Sequence, residues 1–307
     1  MKKSLIALAA VAASAAAMAQ SSVTLYGIAD VGVAKSKGSS AEMINGGLLG
    51  SRWGVRGTED LGGGLAAKFD FQQRLNLVDG TANGFKYAWV GLAGGFGEVQ
   101  LGSVASAYDD VAGATSPLFD SVLTTNIIAP TYAGYTDPLN RAVKYITPEF
   151  GGVSAAVSTQ LKDAGAANFR ATSFNVGYTG GPLYVALAYE QQKDDAGLDN
   201  KLTRVVGSYD FGAAKLLASV GDTKDYATDL TIGVDVPLGS ALVLSAGYTV
   251  ADYDAGGDKG QAVGLALAYN LSKRTVVYTG FNKLNDEAVA ASGNAEHTFA
   301  VGIKHSF

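Results

Sequence analysis

Hydrophobic and polar positions alternate with a period of two along most of the chain. Val23, Leu25, Gly27, Ala29, Val31 and Val33 share one face of the first such stretch, with Thr24, Tyr26 and Asp30 on the other. In Leu65–Leu75, Leu65, Ala67, Phe69 and Phe71 alternate with Lys68, Asp70, Gln72 and Arg74. Leu230, Ile232, Val234 and Val236 alternate with Asp229, Thr231 and Asp235, and Val263, Leu265, Leu267, Tyr269 and Leu271 repeat the pattern. An aliphatic face opposite a small or polar one describes strands between two different solvents. A soluble sandwich gives the same local signal, so the connections have to separate the two. Tight turns are predicted at Asp60–Gly64, Gly94–Gly97, Pro148–Gly152, Gly180–Pro182, Phe211–Ala214, Pro237–Ser240 and Leu271–Arg274. They alternate with longer segments at Lys35–Gly50, Asn76–Gly84, Val104–Asn140, Lys162–Thr172, Gln192–Asn200, Asp222–Thr228, Asp252–Lys259 and Leu284–Ala295. These connections separate sixteen strands with both termini on the short-turn side. The prediction is an all-β fold, a 16-stranded antiparallel transmembrane β-barrel, in which closure satisfies every backbone group that lipid would leave unpaired. The facing of Lys86–Leu92, Lys215–Gly221 and Thr275–Phe281 is ambiguous.

The aromatic residues fit this layout. On the aliphatic parity, Tyr145, Tyr178, Tyr209, Phe211, Tyr269 and Phe307 fall at the short-turn ends of their strands, and Tyr189 and Tyr248 at the opposite ends. Aromatics at both edges of an outward apolar band are interface girdles. The first 19 residues read differently. Lys2 and Lys3 precede the apolar run Leu5–Ala17, and Ala17-Met18-Ala19 is an A-x-A cleavage site, so residues 1–19 are expected to be a signal peptide and residues 20–307 the exported barrel. No later apolar run is long enough for a membrane-spanning helix.

Composition and charge exclude several kinds of chemistry. The chain has 307 residues, 40 of them Gly and none Cys, which removes disulfides, thiol catalysis and Cys-ligated metal centres. Without Lys2 and Lys3 the net charge falls from −5 to −7, the wrong sign for a nucleic-acid partner. The two histidines, His297 and His305, stand eight residues apart, about 26–27 Å along a strand, and cannot share a metal or a base role. Gly62-Gly-Gly64-Leu-Ala-Ala67 matches a dinucleotide fingerprint in letters, but it lies in a turn between strands with no helix after it. No cofactor, metal or catalytic residue is expected.

The C-terminal strand alternates Phe299, Val301, Ile303, His305 and Phe307 with polar or small residues and ends on Phe307, which resembles the signal read by the outer-membrane assembly machinery. The stretch from Ser22 through Thr24, Leu25, Tyr26 and Gly27 to Asp30, the block Ser51–Leu65, and the stretches Trp89–Leu92 and Phe96–Gly102 resemble Gram-negative general porins, in particular the betaproteobacterial branch. The resemblance runs through the whole mature chain. It implies a homotrimer in the outer membrane, in contact with lipid and lipopolysaccharide, that passes ions and small hydrophilic solutes passively. Turning the aliphatic faces outward sends Arg52, Arg56, Lys68, Arg74, Lys144 and Arg204 inward as a basic ladder, and Lys86 is assigned to the same wall. Val104–Asn140 is 37 residues long, well beyond the ~12–15 at which a loop is usually functional or disordered. It carries Asp109, Asp110, Asp120 and Asp137 with Leu118, Phe119, Ile127 and Ile128. By resemblance it is the inward-folded third loop, and acids facing a basic wall would set a transverse field at the constriction. Ser103 and Lys144 stand where many relatives have Arg, and the outer loops are acid-rich, which suggests weak ion selectivity. Tyr108, Tyr132 and Tyr135 keep a substrate-specific channel open as an alternative. A barrel hydrolase or a plugged adhesin would require a catalytic base or a closed lumen respectively.

Overall fold

The computed structural model describes residues 21–125, 127, 134–161 and 168–307. The expected signal peptide, Ile128 and Tyr132 lie outside them. The strands are β1 (Ser22–Ser36), β2 (Glu42–Asn45), β3 (Arg52–Gly62), β4 (Leu65–Asn76), β5 (Thr81–Gly94), β6 (Gly97–Val104), β7 (Leu139–Ile146), β8 (Val153–Gln160), β9 (Arg170–Gly180), β10 (Leu183–Lys193), β11 (Asp199–Asp210), β12 (Lys215–Thr223), β13 (Ala227–Leu238), β14 (Leu242–Tyr253), β15 (Gly260–Asn270), β16 (Thr275–Leu284) and β17 (His297–Ser306). Each spanning strand pairs antiparallel with its neighbour. β1 closes the circuit, pairing with β3 along Ser22–Ile28 and with β17 along Ile28–Ser36. Sixteen strands therefore span, and the four-residue β2 is extra: it pairs with Val31–Ala34 of β1, where β3 has not yet begun.

Val23 and Leu25 are 69% and 62% exposed, whereas the inward Asp30 is fully buried. That inversion is what a barrel with lipid outside and polar groups inside requires. The faces left ambiguous by the sequence are resolved in the same way. Leu216 and Val220 of β12 point out while Leu217 and Ser219 are buried inward, and Phe281 of β16 points out while Tyr278 is buried inward. In β5, Val90 and Leu92 are exposed outward.

At the seam the last residue completes the ladder. Gly27 and Phe307 exchange both backbone hydrogen bonds at 3.0 Å. A Cβ on Gly27 would lie 2.3 Å from the Phe307 ring, so this glycine provides the seat for the terminal aromatic. Lys37 ion-pairs with Glu296 beyond the other end of the seam.

The outer connections differ from the predicted lengths. Asn76–Gly84 contracts to residues 77–80, and Asp222–Thr228 to residues 224–226, as short as the turns on the opposite side. Polar residues such as Asn76 and Thr81 continue the ladder because beyond the membrane both faces are wet, and pairing no longer needs an apolar face. The connection before β17 contains a helix, α2 (Asp286–Ser292), which the alternation does not predict. Asn285 caps it by accepting from the Ala288 amide, and Gly293 ends it in the left-handed region at φ 70°.

Candidate functional site

The segment 105–138 between β6 and β7 lies against the inner wall at every described stage of its path. Its first turn, α1 (Asp109–Ala112), follows Ala107, whose amide donates to Ser158 Oγ of β8 at 2.8 Å. Tyr108 and Val111 pack on Ala186 and Ala188 of β10 and Leu202 and Val206 of β11. Thr115 Oγ1 donates to the Ala218 carbonyl of β12, the Leu118 amide donates to Ser245 Oγ of β14, and Asn282 Nδ2 of β16 donates to the Thr124 carbonyl.

Glycines make room for this crossing. Gly233, Gly247 and Gly264 are cross-strand partners on β13, β14 and β15 and all face inward. A Cβ on Gly247 would lie 2.4 Å from Pro117 Cγ, one on Gly233 2.6 Å from Pro117 Cβ, and one on Gly264 2.3 Å from Leu118 Cδ1. On β16, Gly280 does the same for Leu123 at 2.6 Å. Pro117, Leu118 and Leu123 thus sit on a strip of bare backbone. Leu118, Phe119 and Asp120 form a left-handed turn (φ 59°, 61° and 53°), a conformation that costs roughly 1–2 kcal/mol per residue. Complete burial of Leu118 and near-complete burial of Leu123 offset that cost, and the turn directs Asp120 towards the lumen.

A cavity of about 550 Å3 remains between this loop and the opposite wall. Arg52 of β3, Arg74 of β4 and Lys86 of β5 line its wall side, and Asp109, Asp120, Asp137 and Tyr135 its loop side. Arg52 and Arg74 donate to the carbonyls of Gly50 (3.1 Å) and Phe85 (3.3 Å), and the Lys86 ammonium stands 4.8 Å from the Tyr87 ring centre. Lys86 reaches this wall through a β-bulge. Gln72 pairs with Tyr87 but Gln73 pairs with Phe85, which leaves Lys86 as the extra residue. Strict alternation from Val90 and Leu92 would have turned it to the lipid.

On the loop side two tyrosines hold the acids. The Tyr87 hydroxyl shares its one proton between Asp137 Oδ2 (3.0 Å) and Asp109 Oδ2 (3.3 Å), Tyr135 donates to Asp109 Oδ1 (2.6 Å), and the Ser106 amide donates to Asp137 Oδ1 (3.0 Å). Burial pushes the Asp120 and Asp137 carboxyls up from the ordinary carboxylate value, and the neighbouring Asp109 adds to the shift of both.

The remaining ladder residues are not part of this cavity. Arg56 stacks on the Tyr26 ring at 5.0 Å, and Lys68 pairs with Glu98 at 2.5 Å. Lys144 is buried and pairs with Asp110 at 2.7 Å, and burial raises the Asp110 carboxyl against the pull of that lysine. Arg204 makes a two-pronged pair with Asp229 (2.7 and 3.0 Å) in a separate cavity of about 250 Å3 behind the loop, bounded by Tyr108, Pro117 and Thr125. The basic ladder is thus split: Arg52, Arg74 and Lys86 line this cavity, Arg56 is exposed elsewhere on the inner wall beside Tyr26, and Lys68, Lys144 and Arg204 are ion-paired. Alternation along a strand shows which way a side chain faces, but it contains no information on the carboxylate it will meet. The roles of Tyr87 and of the glycine strip were also missed. Their only trace in the sequence is an inward glycine on each of four consecutive strands.

The comparisons with known proteins agree with this architecture. The chain matches the family described as Gram-negative porin over residues 5–288. It is 34% identical to outer membrane porin protein 32 of Delftia acidovorans, over the full length of both chains. An anion-selective porin from Comamonas acidovorans superposes with a TM-score of 0.82 at 31% identity, covering 94% of this chain and all of that one. A trimer form of OmpT from Vibrio cholerae, 18% identical, shares the fold with a TM-score of 0.75 over 94% of this chain and 99% of that one. A closed sixteen-stranded barrel, polar within and apolar without, together with these matches, places the chain in the Gram-negative porin family, as an outer-membrane channel for the passive diffusion of ions and small hydrophilic solutes.

Proposed function

We propose that the constriction of this channel is the 550 Å3 cavity and that it favours small anions weakly. The observation that supports this is the unequal exposure of its two sides. Arg52, Arg74 and Lys86 present their charge to the lumen, whereas Asp109 and Asp137 are engaged by tyrosine hydroxyls and burial draws Asp120 and Asp137 towards their neutral forms. A transverse field remains, with a net positive potential that attracts anions and orders water against apolar solutes. The Comamonas relative is an anion-selective porin, which supports the same sign. Lys68, Lys144 and Arg204 act in this reading as wall and loop anchors, Asp110 as the loop partner of Lys144, and Arg56 as an exposed charge on the inner wall outside the constriction.

The mature protein is residues 20–307, released from a signal peptide of residues 1–19. It acts as a homotrimer, which the trimeric Vibrio neighbour supports, as does an apolar exterior groove lined by Val23, Phe69, Val90 and Leu101. Lipid and lipopolysaccharide surround the trimer, and Phe307 is presented to the barrel-assembly machinery. No catalysis and no cofactor enter this reading. Reversal potentials in planar bilayers under a KCl gradient test it. A modest anion preference that disappears in Arg74→Gln is expected; an ideally one-sign channel, or a parent channel preferring cations, refutes it. Block by a dicarboxylate at low concentration would instead indicate a substrate-specific channel.

A further inference from the structure

The first outer connection also enters the barrel, and one buried carboxylate holds it there. Asp30 of β1 is fully buried on the inner wall. Its side chain accepts from the amides of Gly47 (3.2 Å), Leu48 (2.8 Å) and Leu49 (2.8 Å), and from the Tyr278 hydroxyl of β16 (2.8 Å). Its backbone is engaged by the same segment: Ser51 Oγ donates to the Asp30 carbonyl and accepts from the Asp30 amide, and the Gly46 amide donates to that carbonyl at 2.8 Å. Three successive amides converging on one carboxylate form an anion-binding nest, in which the anion is a side chain of the wall. A Cβ on Gly47 would lie 1.8 Å from the Tyr278 hydroxyl oxygen, so the segment follows the wall closely.

What the nest holds is part of the constriction. Asn45, Gly50 and Ser51 line the 550 Å3 cavity beside Arg52, and the Gly50 carbonyl accepts from the Arg52 guanidinium. The Gly47 carbonyl accepts from the Val122 amide at 2.9 Å, so the long loop rests on this segment before Thr125 and Ile127 return it to β14. The first connection is therefore both a wall of the narrow zone and a support for the loop that narrows it.

We propose that Asp30 is a positioning residue that sets the aperture of the channel by holding residues 46–51 inside the barrel. It touches no solute. It acts through the backbone that it gathers, and without it the segment and its contact with Val122 move apart and the narrow zone widens. This rests on the reading of the cavity as the permeation path, and the test separates the two.

Asp30→Asn keeps the shape but places an amide N–H2 among four donors. The full-length protein is reconstituted in liposomes, and uptake of a neutral trisaccharide is compared with that of a monosaccharide; gel mobility with and without boiling reports whether the barrel has folded. The trisaccharide-to-monosaccharide ratio is expected to rise roughly twofold or more in the folded variant. A change in barrel stability alone would leave that ratio unmoved. If Asp30→Asn does not fold, Asp30→Glu, which keeps the charge but moves the carboxylate one methylene away from the three amides, is held to the same criterion. An unchanged ratio in either folded variant overturns the role of Asp30. A parent protein that passes neither sugar overturns the permeation reading and this proposal together.

Discussion

Gly247→Ala isolates the seating of the long loop from the stability of the barrel. Added to Gly247, a Cβ would meet Pro117 Cγ at 2.4 Å and Pro117 Cβ at 2.7 Å, against a carbon–carbon optimum of about 3.5–4.0 Å. A proline ring cannot rotate out of the way, so Pro117 has to rise from the wall by about 1 Å. Overpacking of this kind costs about 1–3 kcal/mol. The usual gain from replacing glycine, about 0.4–1 kcal/mol through the unfolded chain, offsets only part of it. The loop is thereby driven towards Arg52 and Arg74, and single-channel conductance in planar bilayers should fall while the barrel still resists unfolding without boiling. Gly177→Ala is the matched control. Gly177 is also inward on its strand, but its Cβ would find Ala186 Cβ at 3.4 Å, an ordinary contact. Parent-like conductance in Gly247→Ala, or equal perturbation by both variants, would refute the seating argument.

Three further outcomes follow from the same geometry. Arg204→Met should cost about 3–5 kcal/mol by stranding the buried Asp229, yet leave reversal potential nearly unchanged because the pair lies behind the loop; a large selectivity change would put Arg204 on the permeation path. The Asp120 and Asp137 carboxyls are raised by burial, so they take up protons before exposed carboxylates as pH falls from neutral. Anion preference should therefore increase as the pH is lowered from neutral. The linkage has the matching sign: a raised folded value means that loop docking strengthens on acidification and weakens as pH rises through it, and a flat permeability ratio over that range would contradict the burial argument. Phe307→Ala keeps the backbone pair with Gly27 but removes the ring from its seat, and should lower barrel stability by about 1–2 kcal/mol, seen as a lower temperature for the heat-induced gel shift; an unchanged transition would mean that the ring contributes nothing to closure.

The barrel was legible because lipid on one side and water on the other force a period-two code on residues such as Leu230–Val236. Where that constraint ends, so does the legibility. Thr81 and Ala82 pair with Asn76 and Leu75 above the membrane without a lipid-facing code, and the tetrapeptide Glu42–Asn45 pairs because β1 has a free edge there. The site was legible in facing and not in partnership. Arg52 and Lys144 have the same inward parity, but one stands on the lumen and the other is buried against Asp110, a residue 34 positions away on a loop whose path no local pattern encodes. The seat of Pro117 and Leu118 depends on Gly233, Gly247 and Gly264 falling in register across three strands, which is a property of the pairing and not of any one stretch of sequence.

The bulge at Lys86 means that pore charge here is encoded in chain length as well as in residue identity. Removing one residue just before Lys86 would remove that bulge, rotate the ammonium to the hydrocarbon and subtract a positive charge from the constriction, all without a substitution. Small insertions and deletions in this stretch are thus a direct route by which such channels could diverge in ion preference while their aligned residues stay the same.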